Sequence, residues 1–351
     1  MHGLLLDSKR REAMAGKTRK RKHVCVANDL GRGLTFYRLS KAHDALPRAT
    51  NVVESPSFLA TSPIGCRDLV LRGIIHAMKA RINGIDMAYE LVGKEIPLLW
   101  IHAYPLDRST WNPQTKALSD CARHIVPDLR GFGESDAPDG VYTMDLMADD
   151  MRGLLDSLKV ERAVVVGLSM GGYIALSFAL RYPDRLGGLV LAGTRAGRDA
   201  PEAAKARLEN ADRALREGVR PVVEPMLAKL ISTSTATERP ELVEELRRLL
   251  LANRPNGIAG ALRGMAARPD STPRLGEIRV PTLILAGSDD VIISPAESRA
   301  MAAGITHATL VEIPQAGHLV NLEQPRAFND AVRSFLKRLP HDGRVRPNGL
   351  V

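Results

Sequence analysis

The sequence predicts an α/β fold: a mostly parallel sheet with helices on both faces and a helical cap inserted above its carboxyl edge. Three observations predict it. Short runs rich in Val, Ile and Leu alternate with longer stretches of helical period. Those runs are apolar at nearly every position rather than every second one, as in strands buried on both faces. Between Arg195 and Arg274 the composition shifts to Ala, Glu, Arg and Leu with no clear strand, and strands resume after it. That block is therefore an insertion, and it stands over the edge where such sheets place their ligands.

The elements follow in order. Lys79 to Leu91 holds two alternating runs joined by Asn83-Gly84, the strongest short hairpin signal in the chain. Pro97–Ile101 reads as a buried strand leading into His102-Ala103-Tyr104-Pro105-Leu106-Asp107. Trp111–Leu118 reads as a helix, His124–Pro127 as a strand, and Asp128–Ser135 as a polar, turn-rich loop. From Thr143 to Leu158, residues Leu146, Met147, Met151, Leu154, Leu155 and Leu158 fall at helical spacing. Val164–Val166 is a short buried strand, and an Ala- and Leu-rich helix follows it; Leu189–Ala192 is the next strand. Roughly four helices fit between Arg195 and Arg274. Thr282–Ala286 and Ala308–Ile313 complete the strands, and Ala327–Leu339 is a last helix with Glu323-Gln324-Pro325 as its cap.

At 351 residues, with 44% hydrophobic and 25% charged residues, the chain has ample length for a core. The net charge of +9 is localised. Residues 1–77 hold 14 basic and 6 acidic residues, and the remainder is balanced at 35 against 34. That removes the electrostatic case for a nucleic-acid partner of residues 78–351. Residues 1–77, with the run Arg19-Lys20-Arg21-Lys22, read as a disordered basic tail, a targeting piece, or sequence upstream of the true start. Met78, directly before the hairpin, favours the last, with 1–77 dispensable. The expected organisation is a basic extension at 1–77, a core at 78–194 and 275–339, a helical cap at 195–274 and a polar tail at 340–351.

Cys25, Cys66 and Cys121 are too few and too unpatterned for a disulfide framework or a zinc site, and a reducing, cytoplasmic setting is expected. The apolar part of Met1–Asp7 is too short for a signal peptide, and no run of 18 apolar residues predicts a membrane span. No metal-ligand spacing, P-loop or dinucleotide glycine fingerprint appears, so neither metal nor cofactor is expected. Oligomeric state stays open.

The chemistry concentrates where Val164–Val166 runs into Gly167-Leu168-Ser169-Met170-Gly171-Gly172 and then a helix. A serine at such a strand-to-helix turn is held in strained geometry, and the turn is too tight for Cβ atoms at Gly167 and Gly171. The helix start beside it offers unpaired N–H groups and a positive dipole end. A serine hydroxyl is a weak nucleophile and needs a neutral imidazole to take its proton. His318 follows a Pro-Gln-Ala-Gly loop after a strand and is the candidate. Of the other histidines, His102 is expected to brace its loop, and His124 and His307 read as strand-edge residues. The acid that holds the imidazole is Asp289 or Asp290, since neighbours in an extended segment face opposite ways. Oxyanion stabilisation requires two backbone N–H groups, one of them that of Met170.

His102-Ala103-Tyr104-Pro105, Asp128 to Ser135, Gly167 to Gly172, Gly287-Ser288-Asp289-Asp290 and Ala316-Gly317-His318 stand in the order seen in the α/β-hydrolase fold family. The chain resembles that family over about residues 78–339. The resemblance implies a cofactor-free enzyme with Ser169 as nucleophile, Asp290 (three residues after the glycine) as acid and His318 as base. It adds the Tyr104 amide to that of Met170 and gives the Asp128–Ser135 loop a structural role. Serine at the elbow argues against the aspartate chemistry of haloalkane dehalogenases and epoxide hydrolases. The stretch from Thr143 through the elbow resembles 3-oxoadipate enol-lactonases. The His-Ala-Tyr-Pro loop is similar to aryl esterases and haloperoxidase-type perhydrolases. The implied partner is a small, largely apolar ester or lactone. Enol-lactonase and perhydrolase activities are alternatives, and a non-catalytic ligand receptor is the alternative from another class. Met226 and Met265 are candidates for the acyl pocket, although helix packing is the commoner use of such residues.

Overall fold

A computed structural model describes residues 78–339; the expectations for 1–77, with Cys25 and Cys66, and for 340–351 lie outside the described residues. Eight strands form one sheet: β1 (Met78–Ile82), β2 (Ile85–Gly93), β3 (Ile96–Ile101), β4 (Ala122–Pro127), β5 (Ala163–Leu168), β6 (Leu186–Ala192), β7 (Thr282–Gly287) and β8 (Ala308–Ile313). Their spatial order is β1-β2-β4-β3-β5-β6-β7-β8. The pairs β1–β2 and β2–β4 are antiparallel, and every later pair is parallel.

The helices of ten residues or more among the described residues are α1 (Met144–Ser157), α2 (Met170–Arg181), α3 (Pro201–Glu217), α4 (Pro240–Leu251), α5 (Pro255–Ala266), α6 (Pro295–Gly304) and α7 (Pro325–Arg338). None is long and apolar enough to cross a membrane.

Local chemistry explains the frame. Asn83 and Gly84 both take positive φ, 43° and 83°, as a two-residue type I′ hairpin demands. All six positions of β5 and of β7 are buried, which matches their continuous apolar runs. The edge strand β8 is mostly half-buried or exposed, because a neighbour covers it on one side alone. The sequence reading assigns no helix to 295–304, yet α6 lies there. Its start carries the signal Ser294-Pro295-Ala296-Glu297, and the Glu297 carboxylate accepts the Ser294 N–H at 3.1 Å.

Between β6 and β7 the insertion is all helical: α3, α4 and α5, with short helices at Arg220–Val223, Leu227–Leu230 and Thr233–Glu238. It is more broken than four ordinary helices. Pro221 and Pro225 sit at the starts of successive short turns there and divide the run. Helix α5 seats on the core through Gly257, Gly260 and Gly264. A Cβ at these positions would strike the Gly131 carbonyl, the Tyr142 ring and the Tyr142 carbonyl respectively. The Tyr142 N–H donates to the Gly260 carbonyl at 2.9 Å across that contact.

The Asp128–Ser135 loop is tied from both sides. Arg254 donates to the carbonyls of Phe132, Gly133 and Ser135, and the buried Asp128 carboxylate accepts the N–H groups of Arg108 at 2.9 Å and Glu134 at 2.8 Å. Strand β4 lies on one side of β3, and β5 with all later strands on the other. The sheet's switch point therefore opens a crevice at the carboxyl ends of β3 and β5.

Candidate active site

Ser169 stands at that crevice, between the end of β5 and the start of α2, with φ 55° and ψ −114°. A non-glycine residue in such a region costs about 1–3 kcal/mol and persists only where its surroundings over-determine it. They do here. The Ser169 N–H donates to the Ala192 carbonyl of β6 at 2.9 Å, and the Thr194 hydroxyl donates to the Ser169 carbonyl at 2.9 Å. The flanking glycines are required by close approach: a Cβ on Gly167 would strike the Gly171 carbonyl, and one on Gly171 the carbonyls of Ile101 and His102. Ser169 itself remains half-buried, so its hydroxyl is reachable.

The loop after β8 delivers His318, which is 2% exposed. Its Nε2 lies 2.7 Å from Ser169 Oγ, and its Nδ1 lies 2.9 Å from Asp290 Oδ2. An ionised carboxylate only accepts, so Nδ1 carries the proton and Nε2 is left to accept from the serine hydroxyl. The other Asp290 oxygen accepts the N–H groups of Ile292 and Ile293 at 2.8 and 2.9 Å. Asp289 faces away: it is exposed, and its Oδ1 accepts the Ser288 hydroxyl at 2.7 Å. Val291 follows at 74% exposure, looped outward while the next two amides turn back to Asp290. The structure thus brings Ser169, His318 and Asp290 together and leaves Asp289 out.

Tyr104 belongs to the loop leaving β3, buried with its ring edge-on to Phe132 at 6.1 Å. Burial pushes its phenol pKa up, and its hydroxyl has no hydrogen-bond partner among the described residues. Met170 is the first residue of α2, where an N–H has no acceptor within the helix. His102 braces the loop as expected. It accepts the Leu129 N–H on Nε2 at 3.0 Å, so Nδ1 donates to the Ala103 carbonyl at 3.0 Å, and burial lowers its pKa.

His124 corrects an expectation. It is fully buried within β4 rather than at a strand edge, its Nδ1 accepts the Trp100 indole N–H at 2.9 Å, and burial lowers its pKa to about 4. His307 is exposed just before β8.

Glu323 corrects another. Gln324 and Pro325 do stand at the N-cap and first position of α7, Gln324 without a side-chain cap bond, but the Glu323 carboxylate bonds elsewhere. It turns back to accept the N–H of Gly317 at 2.8 Å and that of Ser232 in the cap at 2.8 Å. Asn253 is a second tie that sequence reasoning missed, donating from Nδ2 to the Pro105 carbonyl at 2.7 Å. A third is Asp199, whose carboxylate meets Arg195, Arg207 and Arg268 at 2.8, 2.6 and 2.9 Å. Burial alone would raise the Asp199 pKa, but the Arg268 and Arg207 guanidinium groups hold it at about 2. Met265 is buried with its sulfur 3.5 Å from an Arg207 nitrogen, and Met226 packs half-buried against the core.

The model of the alpha/beta hydrolase fold family matches residues 96–325. The chain is 31% identical over 241 residues to 3-oxoadipate enol-lactonase 2 of Acinetobacter baylyi, covering 69% of this chain and 88% of that one. Among solved structures, a thermophilic esterase from Thermogutta terrifontis is similar at TM-score 0.73 and 44% identity, covering 75% of this chain and 99% of that one. The enol-lactonase from Burkholderia xenovorans LB400 is similar at TM-score 0.71 and 31% identity, covering 74% and 100%. The family match takes in every strand from β3 to β8 together with the loops that carry Ser169 and His318, and the chain belongs to the α/β hydrolase fold family.

Proposed function

We propose that the protein is a serine hydrolase that cleaves a carboxylic ester or lactone of a small, largely apolar substrate through an acyl-enzyme. The observation that carries this is the continuous chain Asp290–His318–Ser169, at 2.9 and 2.7 Å, ending on a half-buried serine in strained backbone geometry. Ser169 Oγ bonds to the substrate carbonyl carbon while its proton passes to His318 Nε2. Asp290 fixes the Nδ1–H tautomer and stabilises the imidazolium. The amides of Tyr104 and Met170 receive the charge that develops on the carbonyl oxygen. Expulsion of the alkoxide takes the proton back from His318. Water, deprotonated by the same imidazole, then breaks the acyl–serine bond and restores Ser169. Likeness to proteins named enol-lactonase and esterase at 31–44% identity supports this substrate class.

Steady-state turnover on a panel of p-nitrophenyl esters and enol lactones tests the reading. Wild type should turn over, and Ser169→Ala should lose a factor of about 10⁴–10⁶ in kcat. Hydrolysis retained in Ser169→Ala refutes the mechanism. A wild type that reacts with a fluorophosphonate yet turns over nothing in the panel is a ligand receptor instead.

A further inference from the structure

We propose that Glu323 is a positioning residue for His318, a clamp that sets the His318 loop by fastening it to the cap; this rests on the serine-hydrolase reading. Among the described residues the Glu323 carboxylate bonds to neither Ser169 nor the imidazole, whose hydrogen bonds go to each other and to Asp290. Its side chain is buried, 5% exposed, and each carboxylate oxygen accepts one backbone N–H from a different part of the chain. Oε1 takes that of Gly317, the residue before His318, and Oε2 takes that of Ser232, both at 2.8 Å. One residue beyond His318, the Leu319 N–H donates to the Leu230 carbonyl at 2.9 Å. Residues 317–319 and 230–232 therefore run side by side, with the carboxylate closing one end of the contact.

The approach is close enough to dictate glycine at 317. A Cβ there would lie 2.7 Å from the Ser232 nitrogen and 2.9 Å from the Ile231 carbonyl carbon. A carboxylate is required because both partners are donors; an amide in its place turns an NH₂ group against one of them. Asp290 fixes the far side of the imidazole, so the loop position sets the remaining freedom of Nε2 relative to Ser169. A misplacement of about 1 Å at this point costs on the order of 100-fold in rate.

The test uses the full-length chain and reads the second-order rate of fluorophosphonate labelling at Ser169 by intact mass, with the thermal midpoint alongside. Glu323→Gln should slow labelling about 10- to 100-fold while the protein remains folded. Gly317→Ala opens the same contact from the other side, because a Cβ there would lie 2.7 Å from the Ser232 nitrogen, and it should slow labelling as well. The double variant Glu323→Gln with Gly317→Ala should lose less than the product of the two single losses, since both open one contact.

Labelling of Glu323→Gln within about twofold of wild type, or single losses that multiply in full in the double variant, overturns the clamp. If Glu323→Gln does not fold, Gly317→Ala alone decides, and it must label several-fold more slowly than wild type. A wild type that does not label at Ser169 refutes the hydrolase reading along with the clamp. Normal wild-type labelling with an indifferent Glu323→Gln refutes the clamp alone.

Discussion

At Asp290 one carboxylate serves two masters, with Oδ2 on the imidazole and Oδ1 on the amides of Ile292 and Ile293. Replacing it by asparagine sets an NH₂ group against either the Nδ1–H or those amides, so the imidazole loses its tautomer or its orientation. Asp290→Asn should lower kcat by a factor of about 10⁴, and Asp289→Asn should stay within about twofold of wild type. Ester turnover measured on both variants checks this, and a loss confined to Asp289→Asn refutes the assignment. The residues of this cluster were legible because each sits in a short local pattern: Gly-x-Ser-x-Gly, an acid three residues after Gly287, and a glycine before His318. Glu323, Asn253 and Asp199 carry no such pattern. Glu323 meets Ser232 across 91 positions and Asn253 meets Pro105 across 148, and no periodicity encodes contacts at that separation.

The elements were legible wherever hydrophobic period alone decides them, as in the hairpin and in β5 and β7. They were least legible in the cap, where prolines divide the run, and at α6, whose start signal is four residues long. The elbow shows how strand and helix constrain each other. Gly171, the second residue of α2, lies against the carbonyls of Ile101 and His102 at the end of β3, so the approach of α2 to the sheet sets the height of Ser169. Gly171→Ala forces that helix outward and should destabilise the fold by about 1–3 kcal/mol. Urea unfolding measures the loss. Labelling of Ser169 should slow as well, because the nucleophile moves with the helix; full stability with unchanged labelling refutes the constraint.

For the molecule as a whole, Asp199 ties the two ends of the cap. Arg195 follows β6, Arg207 lies on α3, and Arg268 follows α5. The folded pKa of Asp199 is lowered from 3.8 to about 2, so its contribution to stability is complete above the unfolded value and fades as pH falls from near 4 through 2. Asp199→Asn should thus be less stable than wild type at neutral pH, and the gap between their urea midpoints should close below about pH 4. Midpoints that stay equally separated down to pH 3 refute this account. The balanced charge of residues 78–351 fits such internal pairing: the arginines of the cap largely face acids of their own chain.

Recombination of this chain with a relative meets a boundary at each end of residues 233–252. Ser232 props the His318 loop and Asn253 props the loop of Tyr104 and Pro105. A transplanted cap that spans either position carries away a prop of the machinery it is meant to serve. A transplant confined to 233–252 exchanges α4 and its lead-in and leaves both props with the host. The two demands differ in kind. Position 232 must keep a backbone N–H for the prop and a hydroxyl that accepts the Thr235 N–H at the start of the next helix, whereas position 253 asks for an amide side chain.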